Sequence, residues 1–385
     1  MATNTLNTGP LTGLKVIEFA GIGPGPFAAM MLSHMGADVL RITRQDAEPI
    51  DPNDFPLHGR RSLAMNLKAP GAADIILRLV ERSDALLEGF RPGVMERLGL
   101  GPDDCRAHNP KLVYGRITGW GQTGTLSHSA GHDLNYIAIT GALWSTGHAD
   151  RAPTFASNLL GDYGGGAMPL ALGMLAGLLQ AQRTGFGTVV DAAICDGTSA
   201  LMTHMHSRRA MGVWHDEREA NQLDGGAPWY SVYECSDGQW ISIAALEHKF
   251  WNCLVDLLGF TPDDFGDRSN EDTWQETRAK LKSHFLSKPR DHWTSILEGT
   301  DACYAPVLSP AEVQAHPHMR ARNAFFTGDH THPKPTPKFD TQIESSAPPA
   351  QDLSTNVANL LKEAGFADEE IDALQASEIF STPTA

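Results

Sequence analysis

Cysteine is scarce in this chain, with five in 385 residues: Cys105, Cys195, Cys235, Cys253 and Cys303. The number is odd and no two form a CxxC pair. That excludes a disulfide framework and a zinc ribbon, and it fits a reducing compartment. Positive charge is also short. The formal net charge is −16, too acidic for the broad phosphate neutralisation that a nucleic-acid partner needs. Long hydrophobic runs are missing. The longest, 167–180, is shorter than a membrane span and reads as a buried helix. The opening MATNTLNTGPLTG lacks the basic-then-apolar order of a signal peptide, and the closing STPTA is no peroxisomal address. Together these absences predict a cytoplasmic protein with neither a membrane nor a nucleic-acid partner.

What is present is ordinary for a soluble chain, 41% hydrophobic and 20% charged, and long enough for two lobes with a core each. KVIEF, DVLRI, SLAMNL, DALLEGF and KLVYGRI are short apolar strands. Amphipathic stretches such as FAAMMLSHMGA and APGAADIILRLVERS alternate with them. That alternation predicts an α/β fold, a Rossmann-like large domain with a parallel sheet covered by helices. GDYGGGAMPLALGMLAGLLQAQRTGFG reads as a long helix opened by glycines, TVVDAAICDG as a strand, and SALMTHMHSRRAMG as a helix. YSVYECSDGQWISIAAL changes character: it alternates and turns at SDG, which predicts an antiparallel hairpin. The expected division is a large domain over 1–211, a linker at 212–225, a small α+β domain over 226–325, and a return segment over 326–385 that packs on the large domain. Within the last, 326–353 reads as a surface crossing.

The first strand–turn–helix resembles a dinucleotide site, but the fingerprint fails. Gly21 and Gly23 fit its first two positions, whereas Pro26 stands where the third glycine belongs. No acidic residue closes the second strand. It runs instead into Arg41 and Arg44, and an arginine fork there favours a phosphorylated ribose, as in NADP or coenzyme A. Arg60, Arg61, Lys68, Arg91 and Arg97 follow within the same hundred residues. As a set they predict a phosphate-rich ligand.

Seven ordered stretches resemble the class III coenzyme A-transferase superfamily, and most of all its α-methylacyl-CoA racemase branch. They are GLKVIEFAGIGPGPFAAMMLSHMGADVLRITR, EGFRPGVMERLGLGP, RITGWGQTG, AGHDLNYIAITG, NLLGDYGGGAM, LDGGAPWYSVYECSDGQW and AALEHKFW. Weaker similarity runs on through DACYAPVLSPAEV to the C-terminal helices. The resemblance implies an acyl-CoA substrate, no separate cofactor, no metal, and an interlocked homodimer. By position it carries the CoA contacts to Arg44, to Met65, Asn66, Leu67 and Lys68, and to Gly89, Phe90 and Arg91. Arg97 and the run Gly131, Asp133, Leu134, Asn135 and Tyr136 complete them.

Racemisation beside a thioester carbonyl needs two acid/base groups on opposite faces of the α-carbon. It also needs donors for the enolate, such as backbone N–H groups at a helix start. The resemblance places His132 and Asp162 as that pair. It brings in Glu247, from the partner's small lobe, to orient the imidazole. This chain has His248 where the branch commonly has proline. Taken alone, His132-Asp133 would read as a helix cap and Asp162 as another; their joint occurrence with Glu247 favours chemistry. Two rivals stay open. A class III CoA-transferase would use Asp162 as nucleophile, though it usually carries tyrosine at position 132. The other is a non-catalytic CoA-binding homologue. An NADP oxidoreductase is more remote. His204 and His206, two apart, would face apart on a helix and chelate nothing, and the histidines over 316–332 read as surface. The methionines read as core, with an acyl surface as the other use.

If Arg44 reads the ribose phosphate, Arg44→Ala will weaken coenzyme A binding roughly ten- to hundredfold. Binding of the form lacking that phosphate will barely change. Calorimetric titration of both ligands decides it, and equal losses would remove Arg44 from that role.

Overall fold

The computed structural model describes residues 9–326, 330–340, 351–352 and 356–380. They divide into two units: one within 1–140, 156–202 and 325–385, the other of 141–155 and 203–324.

The first unit is built on β1 (Lys15–Phe19), β2 (Asp38–Thr43), β3 (Arg60–Ala64), β4 (Ala85–Glu88), β5 (Val113–Thr118) and β6 (Val189–Ala193). With the short strand Gln351–Asp352 they form a seven-stranded sheet in the order Gln351–Asp352, β3, β2, β1, β4, β5, β6. Every neighbouring pair is parallel. Parallel strands bury both faces, so successive side chains feed opposite cores. Ile17, Phe19, Leu40, Ile42 and Leu86 enter one core. Val16, Val39, Ala85 and Leu87 enter the other.

The helices of this unit are α1 (Pro24–His34), α2 (Ala72–Val80), α3 (Val94–Arg97), α4 (Pro102–His108), α5 (Asp133–Ala138), α6 (Met168–Thr184) and α7 (Ile194–Leu201). α6 continues a π-helical segment, Leu159–Ala167. In the other unit lie α8 (Thr203–Ala210), α9 (His248–Leu257), α10 (Trp274–Phe285), α11 (Arg290–Leu297) and α12 (Pro317–Ala321), and α13 (Val357–Glu363) and α14 (Asp368–Gln375) return to the first. Val357, Leu360, Leu361 and Ile371 of these last two join the same core as α2. Much of the surface crossing expected over 326–353 lies outside the described residues.

Strand order reverses between β1 and β4, and ligands of such sheets bind beyond the C-terminal ends of the strands at that switch point. Beneath it lies a buried ion pair: the Arg60 guanidinium donates to Glu18 Oε2 at 2.5 Å, both side chains shut from solvent. Arg60 also donates to the Pro56 carbonyl. Burial pushes the Glu18 carboxyl up, opposed by Arg60 and by Arg41, which pairs in register beside it. Deleting one partner of such a pair costs about 3–5 kcal/mol. Arg61 is likewise engaged, forked onto Asp38 at 3.0 and 2.7 Å and reaching Glu363. Arg60 and Arg61 therefore leave the phosphate-binding set expected from sequence. Their strand partners lie far away in the chain, and proximity in sequence hid this.

Two expectations shift. TVVDAAICDG is strand only to Ala193, and α7 begins at Ile194. The helical run over Leu159–Thr184 is 26 residues, long and apolar enough to cross a membrane by length and composition. Only one face is buried, through Leu170, Ala171, Met174, Leu178 and Ala181, while Met168, Leu172 and Leu179 are exposed. The run read as a buried helix is thus buried on its sheet side and exposed on the other.

The second unit holds the expected hairpin, β7 (Tyr230–Glu234) and β8 (Trp240–Ala244), extended antiparallel by β9 (Tyr304–Pro306). Trp229, Trp251, Phe285 and Trp293 dominate its core. Its boundaries differ from expectation. The stretch 212–225 is no slack linker, because Asn221 is buried and bonds the carbonyls of His215 and Glu217 and the Asp224 carboxylate. Arg218 donates to the carbonyls of Trp144, His148 and Arg151, which ties 141–155 into this unit.

Candidate active site

The C-terminal ends of the parallel strands present most of the predicted contacts in a row. Arg44 follows β2, Met65 to Lys68 follow β3, Gly21 to Gly23 follow β1, and Gly89 to Arg91 follow β4. Arg44 is exposed and forked onto Asp46, its Nε donating at 2.8 Å. A phosphate there competes with an internal carboxylate. Met65 is 1% exposed and sits in the core, with its N–H donating to the Thr43 carbonyl, so its side chain is withdrawn from the row. The Asn66 N–H donates to the Ile379 carbonyl and Gln45 to that of Glu378, which straps this end of the row with the 378–380 segment. Lys68 and Arg97 are exposed, and Leu67 packs partly against the core.

Beyond β4 and β5 opens a cavity of about 210 Å³ lined by Gly89, Phe90, Arg91, Trp120, Gly131, His132 and Tyr136, among others. The Gly89–Arg91 turn is held from below. The Phe90 N–H donates to Glu88 Oε2 at 2.6 Å, and Arg116 donates to both Glu88 and Glu96. Burial pushes the Glu88 carboxyl up to about 7 against the pull of Phe90 and Arg116. Tyr136 donates to the Gly131 carbonyl and meets Trp120 edge-on at 4.7 Å.

His132 is the exposed N-cap of α5, its backbone N–H donating to Asn135 Oδ1 at 3.1 Å. Leu134 and Asn135 are exposed on that helix, and Asp133 is buried. Asp162 lies in the π-helical segment, where the Tyr163 N–H reaches back to the Asn158 carbonyl five residues earlier. Such widened turns concentrate at functional sites. Its backbone N–H donates to Asp133 Oδ1 at 2.6 Å, and Asn158 Nδ2 donates to its Oδ2 at 3.2 Å. On its other side is Gly23, the N-cap of α1, with φ of 67°. A Cβ on Gly23 would stand 2.8 Å from Asp162 Oδ2, so the carboxyl occupies the place of the missing side chain. Burial raises the Asp162 carboxyl above the usual range. Asn158 pulls it down, the nearby Asp133 charge raises it further, and His132 lowers it. His132, Asp133 and Asp162 therefore form one electrostatic unit.

Glu247 stands in the second unit as the N-cap of α9, 85 residues beyond Asp162 in sequence. Sequence reasoning passed over Asn158, Trp120 and the Glu88–Arg116–Glu96 support. Asn158 stood within the quoted NLLGDYGGGAM, four residues before Asp162, and only the local hydrogen bond reveals its use. Among the described residues no three His, Cys, Asp or Glu side chains group to hold a metal ion.

Residues 11–356 match the sequence profile of CoA-transferase family III. The chain belongs to this family. It is 38% identical over 375 residues to the α-methylacyl-CoA racemase of Homo sapiens, covering 97% of this chain and 98% of that one. It is 30% identical to the acetyl-CoA:oxalate CoA-transferase of Acetobacter aceti, covering 83% and 86%. In fold it is similar to a CAIB/BAIF family protein from Brucella suis, with a TM-score of 0.78 and 24% identity over 93% of this chain and all of that one.

The packing at Gly23 sets a test. Gly23→Ala forces a side chain into left-handed backbone and onto the Asp162 carboxyl. If Asp162 exchanges a proton at the α-carbon of an acyl-CoA, that exchange will fall about tenfold or more in the variant, roughly 1.4 kcal/mol in barrier. Unchanged exchange in a folded variant would mean that Asp162 does not work from this position.

Proposed function

We propose that the chain is a racemase or epimerase of 2-methylacyl-CoA thioesters. The observation that carries this is the backbone tie from Asp162 to Asp133, which sets a half-buried carboxyl beside His132. The two side chains share one proton between turnovers. For one enantiomer the Asp162 carboxylate removes the α-proton and protonated His132 returns one to the opposite face; for the other the roles reverse. The electrons of the broken C–H bond pass to the thioester oxygen as an enolate. The backbone N–H groups of Asp133 and Leu134 at the start of α5 precede the first intrahelical bond, which Asn135 makes to the His132 carbonyl, and suit that charge. Raised by burial, Asp162 holds its proton at a higher pH than a free aspartate, which the reprotonation step requires. Support also comes from the higher identity and coverage towards the human racemase than towards the oxalate transferase. No separate cofactor enters this chemistry, and a cytoplasmic site of action fits the reading.

The decisive experiment is mass spectrometry of a 2-methylacyl-CoA incubated in deuterated water. Deuterium will enter the α-carbon, hydroxylamine will trap no acyl group on Asp162, and His132→Ala will suppress exchange from one enantiomer more than from the other. A trapped acyl-Asp162 with fast transfer to a free acid would replace this reading with the transferase one.

The reading includes a homodimer in which the partner's Glu247 orients His132. Mixing His132→Ala with Glu247→Ala subunits will restore activity to heterodimers, which regain one intact site of two. Verified subunit exchange without recovery would count against a shared site.

A further inference from the structure

Asp133 is 7% exposed, yet its carboxylate lies at the centre of the site. Oδ1 accepts the Asp162 N–H at 2.6 Å, and Oδ2 has no hydrogen-bond partner among the described residues. Gly161 makes the approach possible, because a Cβ there would lie 2.4 Å from Oδ1. Asp133 also follows His132 directly in the chain. A single peptide link and a single charge-assisted hydrogen bond therefore join the two acid/base groups. The resemblance assigned Asp133 to coenzyme A. Its carboxylate is instead turned to the protein interior.

We propose that Asp133 is a positioning residue for proton transfer, fixing the Asp162 backbone relative to His132 and placing a second negative charge beside the Asp162 carboxyl. This rests on the reading of His132 and Asp162 as the acid/base pair. Two carboxylates held close cannot ionise independently, so the charge on the Asp133 carboxylate, which accepts the Asp162 N–H, disfavours a second charge on Asp162. The direction of the Asp162 shift agrees, with Asp133 acting alongside burial and His132 opposing both. The other neighbours are few. Tyr136 on α5 feels the Asp162 charge together with Arg91 and Cys195. α7 brings Cys195 and Asp196 to the segment. α1 presents Gly23 and Phe27, the latter stacked on Tyr163, and no charge.

The test separates charge from geometry. Asp133→Asn keeps an oxygen for the Asp162 N–H and removes the charge, whereas Asp133→Ala removes both. In the ligand-free protein with isotope-labelled aspartate carboxyl carbons, the Asp162 signal is identified by its loss in Asp162→Asn and titrated by NMR. In Asp133→Asn the Asp162 carboxyl will titrate roughly one pH unit lower. The limb of the pH–exchange profile that reports it will move the same way. Asp133→Ala will lose exchange about a hundredfold, and Asp133→Asn will recover most of it. An Asp162 titration unmoved by Asp133→Asn would overturn the proposal, as would an asparagine variant no more active than the alanine one. If the unmodified protein shows no α-proton exchange, the racemase reading falls, while the titration still decides the role of Asp133.

Discussion

One hydrogen bond organises the site: the Asp162 N–H on the Asp133 carboxylate. It crosses from the start of α5 to the widened turns ahead of α6, two elements that also pack where Gly161 meets Ile137. On one side of it is an exposed imidazole, on the other a half-buried carboxyl wedged against Gly23. Here the backbone is clamped and the carboxyl is left to titrate.

The sheet supplies the frame. Its reversal between β1 and β4 brings three chain-distant segments, Gly21–Gly23, Gly89–Arg91 and Gly119–Trp120, to one edge. The Glu18–Arg60 pair beneath them is a cost that the fold carries for placing charged side chains on central strands.

Strands and covering helices were legible because each strand is a short apolar run and each helix an amphipathic one, with glycine and proline marking the joints. KVIEF and DVLRI formed as read. The candidate pair His132 and Asp162 was legible through resemblance, since neither residue alone departs from a capping role. Three things were not legible. Arg60 and Arg61 looked like ligand charges because their carboxylate partners are Glu18, Asp38 and Glu363, none of them adjacent in sequence. The inclusion of 141–155 in the second unit depends on Arg218 reaching three carbonyls, a contact no local pattern announces. The π-helical form of Leu159–Ala167 shares its composition with an ordinary glycine-rich helix start and is set by the packing around it.

That last segment bears on how relatives of this chain are compared. Each widened turn holds one residue more than the hydrogen-bonding of an α-helix accommodates. Removing a single residue between Asn158 and Asp162 would let the segment tighten and swing the Asp162 side chain by about 100° around the axis. Every candidate residue would still be present, but Asp162 would point another way. The spacing through NLLGDYGGGAM is thus as much a part of the candidate site as the letters in it, since one position fewer would aim the aspartate elsewhere.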